Sequence, residues 1–241
     1  MKKMPPKEKE ALNRIENCIK HKHKSLNLSC LNLVKAPDEL FTLKWLKRLD
    51  LSENLLKEIP PKIKYLSKLE SLDLSQNQIQ SLTTEICTLS KLTYLCLWYN
   101  QIESISPKIG SLSKLKQLVL SYNQIHYLPP EIGKLSELKN LCASCNKIKH
   151  LPAEIGQLSN LVYLSLCRNQ IKYIPAQIEN LTELIYLDLA SNKIEYFPPQ
   201  IAVLAKLNVF YTTENKLVFI SKKLDGFKDL SRRRINNLYT P

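Results

Sequence analysis

Cys142-Ala143-Ser144-Cys145 has the C-x-x-C spacing of zinc and dithiol sites, and Cys167 supplies a third thiol further along. A cysteine nucleophile would need a base beside it, for which the sequence offers His21, His23, His126 and His150. Arg232-Arg233-Arg234 and a net charge of +13 suggest a third chemistry, the neutralisation of phosphates. The adjacent rings of Trp98 and Tyr99 offer a fourth, since large aromatics with polar tips anchor protein interfaces. Which of these can operate depends on the elements that carry them.

Asparagine recurs at Asn54, Asn77, Asn100, Asn123, Asn146, Asn169, Asn192 and Asn215, every 23 residues. Around them runs the pattern L-x-x-L-x-L-x-x-N-x-[LI], complete at six of the eight, as in Leu161, Leu164, Leu166, Asn169 and Ile171. A proline-containing stretch follows, such as Leu128-Pro129-Pro130-Glu131-Ile132, so most of the 13 prolines are placed by the repeat. Counting from the first leucine, apolar positions 4 and 6 predict a short strand facing inward, with positions 3, 5, 7 and 8 facing outward. One repeat cannot bury its own apolar face. Stacked repeats can, with strands paired in parallel and the proline segments as the opposite wall. The asparagines fall where the chain turns inward, so each amide needs backbone partners from a neighbouring repeat.

This repeat resembles the leucine-rich-repeat family in its short form, over residues 24–230. The resemblance implies an α/β fold, a right-handed solenoid of about eight or nine repeats. Its curved parallel sheet would be the concave face, and short 3-10 or extended segments the convex face. Residues 1–23 are expected to form an N-terminal cap in which Leu12, Ile15 and Ile19 line one side of an amphipathic helix. Leu31 occupies the asparagine position of the first repeat, and Phe210 and Thr212 replace core leucines in the last. Residues 231–241 are expected as a C-terminal capping tail, with Leu224, Phe227, Leu230, Ile235 and Leu238 packed around the arginine run.

The outward columns separate the candidate chemistries. Serine dominates position 7 (Ser29, Ser52, Ser75, Ser121, Ser144), but the fourth repeat puts Trp98 there with Tyr99 beside it. Tyr94, Cys96, Val119, Tyr122, Cys142, Cys145, Tyr163, Tyr186 and Tyr211 share outward positions and extend this into an aromatic, thiol-rich patch. Arg48, Asp50, Glu53 and Asp73 flank it on one side and Arg168, Asp188 and Glu214 on the other. An apolar centre within a charged rim is the anatomy of a protein interface. The competing reading is that the rings only pack on one another across strands. The cysteines occupy repeat columns on extended strands without a histidine nearby, which argues against a metal or any other cofactor. The histidines fall in the cap or after the asparagine turn, so no catalytic pair is expected and the chain is read as a non-enzyme. The repeat runs close to the end of the sequence, leaving no room for an appended catalytic domain.

The excess charge sits at the ends. Residues 1–48 hold 12 Lys and Arg against 5 Asp and Glu, residues 216–241 hold 7 against 2, and the stretch between holds 16 against 15. A concave face with more acids than bases is a poor phosphate groove, so nucleic acid is disfavoured as a partner. Lys2, Lys3, Lys7 and Lys9 leave a weak attraction to membrane surfaces open. Seven cysteines without secreted-domain spacing, and no signal-peptide core at the N-terminus, point to reduced thiols and a cytoplasmic protein. The sequence is also similar to leucine-rich-repeat effectors of intracellular bacterial pathogens, which implies delivery into a host cell without an N-terminal signal. The expected activity is binding of a folded protein, a host protein or another effector, on the concave face by a chain that is monomeric when free. That binding would block an enzyme's active site; the alternatives are an adaptor joining two partners and, less favoured, a nucleic-acid-binding protein using its basic caps. No small-molecule substrate is expected.

Overall fold

The computed structural model describes residues 6–218. The expected C-terminal cap, with Leu224, Phe227, Leu230, Ile235, Leu238 and Arg232 to Arg234, lies outside the described residues, as do Lys2 and Lys3.

Among the described residues, nine strands of three residues pair in sequence order into one parallel sheet. They are β1 (Ser25–Asn27), β2 (Arg48–Asp50), β3 (Ser71–Asp73), β4 (Tyr94–Cys96), β5 (Gln117–Val119), β6 (Asn140–Cys142), β7 (Tyr163–Ser165), β8 (Tyr186–Asp188) and β9 (Val209–Tyr211). The register steps by one repeat each time, so that Leu49 lies beside Leu72, Leu72 beside Leu95 and Leu95 beside Leu118. The second to eighth repeats each turn seven apolar side chains inward. In the second these are Leu46, Leu49, Leu51, Leu56, Ile59, Ile63 and Leu66, none more than 2% exposed. Each burial stabilises by roughly 1.5–3 kcal/mol relative to exposure, gained only when a neighbouring repeat completes the enclosure.

The convex wall is a stack of five-residue 3-10 turns such as Pro61–Tyr65 and Pro130–Lys134. Proline suits their start, because its fixed φ fits the extended cap residue, as at Pro129 with φ −68°, and the first helical position needs no N–H bond. Neighbouring turns approach closely where glycine allows it. A Cβ on Gly156 would lie 2.3 Å from the carbonyl oxygen of Gln177.

The asparagines tie the repeats together as the sequence predicts. Asn123 Oδ1 accepts from Ile102 N at 2.9 Å, and its Nδ2 donates to Leu97 O at 2.9 Å and to Leu120 O at 3.0 Å. The same pattern runs from Asn54 to Asn215, and Leu31 N donates to Asn54 Oδ1 at 3.1 Å, so the first repeat gives to the ladder without contributing an amide.

Helix α1 (Pro6–His21) covers the open end of the core, but with a different face from the one expected. Ala11, Ile15 and Cys18 are buried, Leu12 is half-buried and Ile19 is 42% exposed. At 100° per residue the stripe through positions 11, 15 and 18 leaves Leu12 and Ile19 on its flank, and the small Ala11 and Cys18 let the helix sit close. The Cys18 thiol donates to His23 O at 3.4 Å and the Trp45 indole donates to the same oxygen at 3.0 Å. No helix among the described residues is long and apolar enough to cross a membrane.

Candidate functional site

Every strand leads into the same bend, and the bend shapes the outward surface. The residue before each asparagine has a left-handed backbone, with φ of 53° at Glu53, 52° at Gln76, 55° at Tyr99, 58° at Tyr122, 55° at Cys145 and 53° at Arg168. None is glycine, so each costs about 1–2 kcal/mol that the surroundings must offset. Inter-repeat hydrogen bonds do so: Tyr99 N donates to Ser121 O at 3.0 Å, Tyr122 N to Ser144 O at 2.9 Å, and Asn100 N to Tyr122 O at 3.1 Å. Tyr99, Tyr122 and Arg168 therefore stand on a rim after the strands, held from both sides by backbone bonds.

Trp98, Tyr99 and Tyr122 form one cluster on that rim. Trp98 meets Tyr99 at 5.6 Å between ring centroids and Tyr122 edge-on at 5.9 Å, and Tyr99 and Tyr122 are 6.0 Å apart. Tyr99 is 57% exposed and Tyr122 44%, while Trp98 is half-buried beneath them, outside the core. The Tyr122 hydroxyl is held above its ordinary pKa chiefly by its hydrogen bond to the Cys145 thiol.

A second cluster lies on the strands of later repeats. Tyr163 and Tyr186 stack at 4.2 Å with 9° between their planes, and Tyr211 meets Tyr186 edge-on at 5.8 Å. Burial, then the hydrogen bond with Tyr163, pushes the Tyr186 hydroxyl pKa up strongly.

Several expected contact residues need correction. Position 7 is not an open column: Ser75, Ser121 and Ser144 are each 8% exposed and Ser29 and Ser52 are half-buried. Cys96, in an outward column, is only 6% exposed, packed among Tyr94, Ser75 and the backbone at Trp98. It is a floor residue, unable to make broad contact with a partner. Asp50, Asp73 and Asp188 each spend an oxygen locally, accepting from the N–H two residues on at 2.9, 2.9 and 3.0 Å. Asp50 and Asp73 also accept from the hydroxyls of Ser52 and Ser75 at 2.6 Å. These aspartates close the turn that starts the bend. Arg48 is exposed at the start of β2, and Tyr94 and Val119 are half-buried on β4 and β5.

Burial works against the thiolate at three of the concave cysteines. Burial pushes Cys142 up to about 11 and raises Cys96 and Cys167 as well. The C-x-x-C segment is not wholly extended, since Cys145 lies in the left-handed bend. Among the described residues no group of three or more His, Cys, Asp or Glu side chains is arranged to hold a metal ion.

The sequence reading overlooked one column. The fourth residue after the asparagine leaves the core on the same side as the bends, and in successive repeats it is Tyr127, His150, Tyr173 and Tyr196, all exposed. The 23-residue period that revealed the asparagines carries this signal too, but beyond the strand and its outward positions.

Comparison with known proteins agrees with the repeat. A leucine-rich repeat model matches residues 24–79, a leucine-rich repeat region model residues 99–167, and a model of two such repeats residues 159–206. No curated protein matches the sequence. Among solved structures, a Leptospira interrogans leucine-rich-repeat protein is similar at 33% identity and TM-score 0.67, over 86% of this chain and 58% of that one. An internalin from Listeria monocytogenes is 25% identical with TM-score 0.75, over 87% of this chain and 60% of that one. The Arabidopsis receptor kinase HAESA, solved with the peptide hormone IDA and a co-receptor, is 28% identical with TM-score 0.70, over 79% and 34%. The chain thus spans less than two thirds of the length of each of these three.

Proposed function

Since this chain is a leucine-rich-repeat protein similar to bacterial members of that family, we propose that it binds a folded protein through the rim built by Trp98, Tyr99 and Tyr122. The observation that carries this reading is the state of the three rings. They are grouped, partly open to solvent, and mounted on bends that inter-repeat hydrogen bonds already fix. Such rings lose little freedom on binding, and aromatic anchors of this kind carry most of the energy of an interface. Arg168 on the same rim and Arg48 at the start of β2 supply the polar border. The likeness to the plant receptor, solved with a peptide hormone, supports a binding role for the repeat surface. The likeness to the Leptospira and Listeria proteins supports a bacterial origin. On this reading the chain acts without catalysis in a cytoplasmic setting, on a host protein or another effector, and blocks whatever surface of the partner it covers.

The test is affinity capture from host and bacterial lysates, using wild type beside a Trp98→Ala, Tyr99→Ala double variant with an unchanged melting curve. A protein retained by wild type and absent from the variant supports the reading. Identical proteins retained by both contradict it.

A further inference from the structure

The edge of the solenoid where the strands end carries a second surface of different chemistry. Tyr127, Tyr173 and Tyr196 are 53%, 43% and 49% exposed, His150 stands exposed between the first two, and the Tyr173 and Tyr196 ring centroids are 5.6 Å apart. Backbone bonds set the spacing of this edge: Lys149 N donates to His126 O at 3.3 Å and Lys172 N to Lys149 O at 3.4 Å. Side chains therefore repeat about every 5 Å, the distance between paired strands. Beside the rings run Lys147, Lys149, Arg168, Lys172, Lys193 and Lys216, with Glu195 and Glu214 the carboxylates in the same columns. Those columns in the first four repeats hold Lys35 and Lys57 against Glu53, Glu58 and Glu103, so the basic stripe is confined to the later repeats.

None of the six cations is in an ion pair among the described residues, whereas Lys47, Lys62, Lys116 and Lys206 elsewhere each pair with a carboxylate of an adjacent repeat. Lysines one repeat apart with no acid between them repel, and a polyanion laid along the edge relieves that repulsion.

We infer that this stripe binds single-stranded nucleic acid. The three repeats that carry His150, Tyr173 and Tyr196 each offer one ring and one or two cations, with Tyr127 before them and Lys216 after, and a nucleic acid strand presents one base and one phosphate per unit at comparable spacing. A duplex would keep its bases stacked away from the rings. A protein partner fits less well, because lysine is depleted from the desolvated centres of protein interfaces. Of the charged residues in the concave columns only Arg168 and Glu214 are counted here, one of each sign. The inference shares Arg168 with the Trp98 rim but does not depend on it, and survives if that rim binds nothing.

The experiment is fluorescence anisotropy of the full chain with fluorescein-labelled oligouridylate and oligothymidylate of about 12 nucleotides. It is run at about 50 and about 200 mM salt, beside labelled polyglutamate, with heparin as a polyanion that has no bases. The expected result is oligonucleotide binding that weakens as salt rises, and a preference for either probe identifies the sugar. Lys149→Gln, Lys172→Gln and Lys193→Gln together should weaken it at least tenfold and reduce the salt slope by about 2, at roughly 0.7 for each phosphate no longer neutralised. Tyr127→Ser, Tyr173→Ser and Tyr196→Ser together should weaken it about tenfold and leave the salt slope unchanged. All six side chains are outside the core, so both variants should melt like wild type; if the tyrosine set does not, Tyr127→Ser alone replaces it. The inference is overturned by absence of binding at the lower salt, by wild-type affinity in both variants, or by tighter binding of polyglutamate. Tight heparin binding together with an inert tyrosine set overturns it as well.

Discussion

The two aromatic clusters are built from the same residue types a few repeats apart, yet they use their rings differently. Tyr163 and Tyr186 lie face to face at 4.2 Å and spend those faces on each other. Trp98, Tyr99 and Tyr122 meet edge-on or tilted at 5.6 to 6.0 Å, leaving faces open. The cause is position in the repeat. Tyr163 and Tyr186 occupy the same strand position in paired strands, where parallel register stacks them. Tyr99 and Tyr122 stand in the left-handed bend, which turns each ring out over the rim. Cross-strand packing thus describes the later cluster, and display describes the earlier one.

The largest stability effects should come from the asparagines beneath each cluster, and these separate the two. Asn123→Ala removes the amide under Tyr122 and leaves Ile102 N and Leu97 O without it, and should cost roughly 1–3 kcal/mol in chemical unfolding. Asn192→Ala, which removes the equivalent bonds to Ile171 N and Leu166 O, should cost the same. Partner affinity should fall with the first variant and not the second; equal falls in affinity would mean that rigidity of the rim is irrelevant. Gly156→Ala presses on the Gln177 carbonyl of the next convex turn and should cost roughly 1–3 kcal/mol while leaving binding intact.

Smaller effects sharpen the contrast. Tyr186→Ala should remove the stacked pair, costing about 0.5–1.5 kcal/mol beyond the area uncovered, with partner affinity nearly unchanged. A large fall in affinity there would erase the distinction between display and packing. The thiols beneath the rings should be the least responsive. With its pKa pushed up to about 11 by burial, Cys142 holds little thiolate at about pH 8 and should react with maleimide well after the exposed Cys30. The raised pKa also fixes a sign: folding favours the neutral thiol, so its contribution is intact below the ordinary value of 9.0 and is lost as pH climbs through about 11. Early labelling of Cys142 would mean that the floor between the clusters opens.

The repeat made most of this architecture readable before any coordinates. Leu49, Leu51 and Asn54 recur with identical roles, so a single period carries strand, core and ladder together. What stayed hidden depends on conformation within the period. Position 7 reads as outward by alternation, but beside the left-handed bend Ser75 and Ser121 are buried and even the oversized Trp98 is half-buried. Asp50 and Asp73 look like rim charges until the bond to the next serine appears. The basic edge was invisible to charge counting because all of it but Lys216 lies in residues 49–215, which hold 16 cations against 15 anions, and only the fold sorts them into columns.

The central claim is that Trp98 and its two tyrosines form the energetic centre of a protein-binding rim. It is tested most directly by titrating the captured partner into wild type and Trp98→Ala, at about 50 and about 200 mM salt, after confirming that both melt alike. The rim account expects affinity to fall about thirtyfold or more, as removal of a buried aromatic anchor worth roughly 2–4 kcal/mol requires, with little dependence on salt. A folded Trp98→Ala protein that binds the partner as wild type does would contradict it.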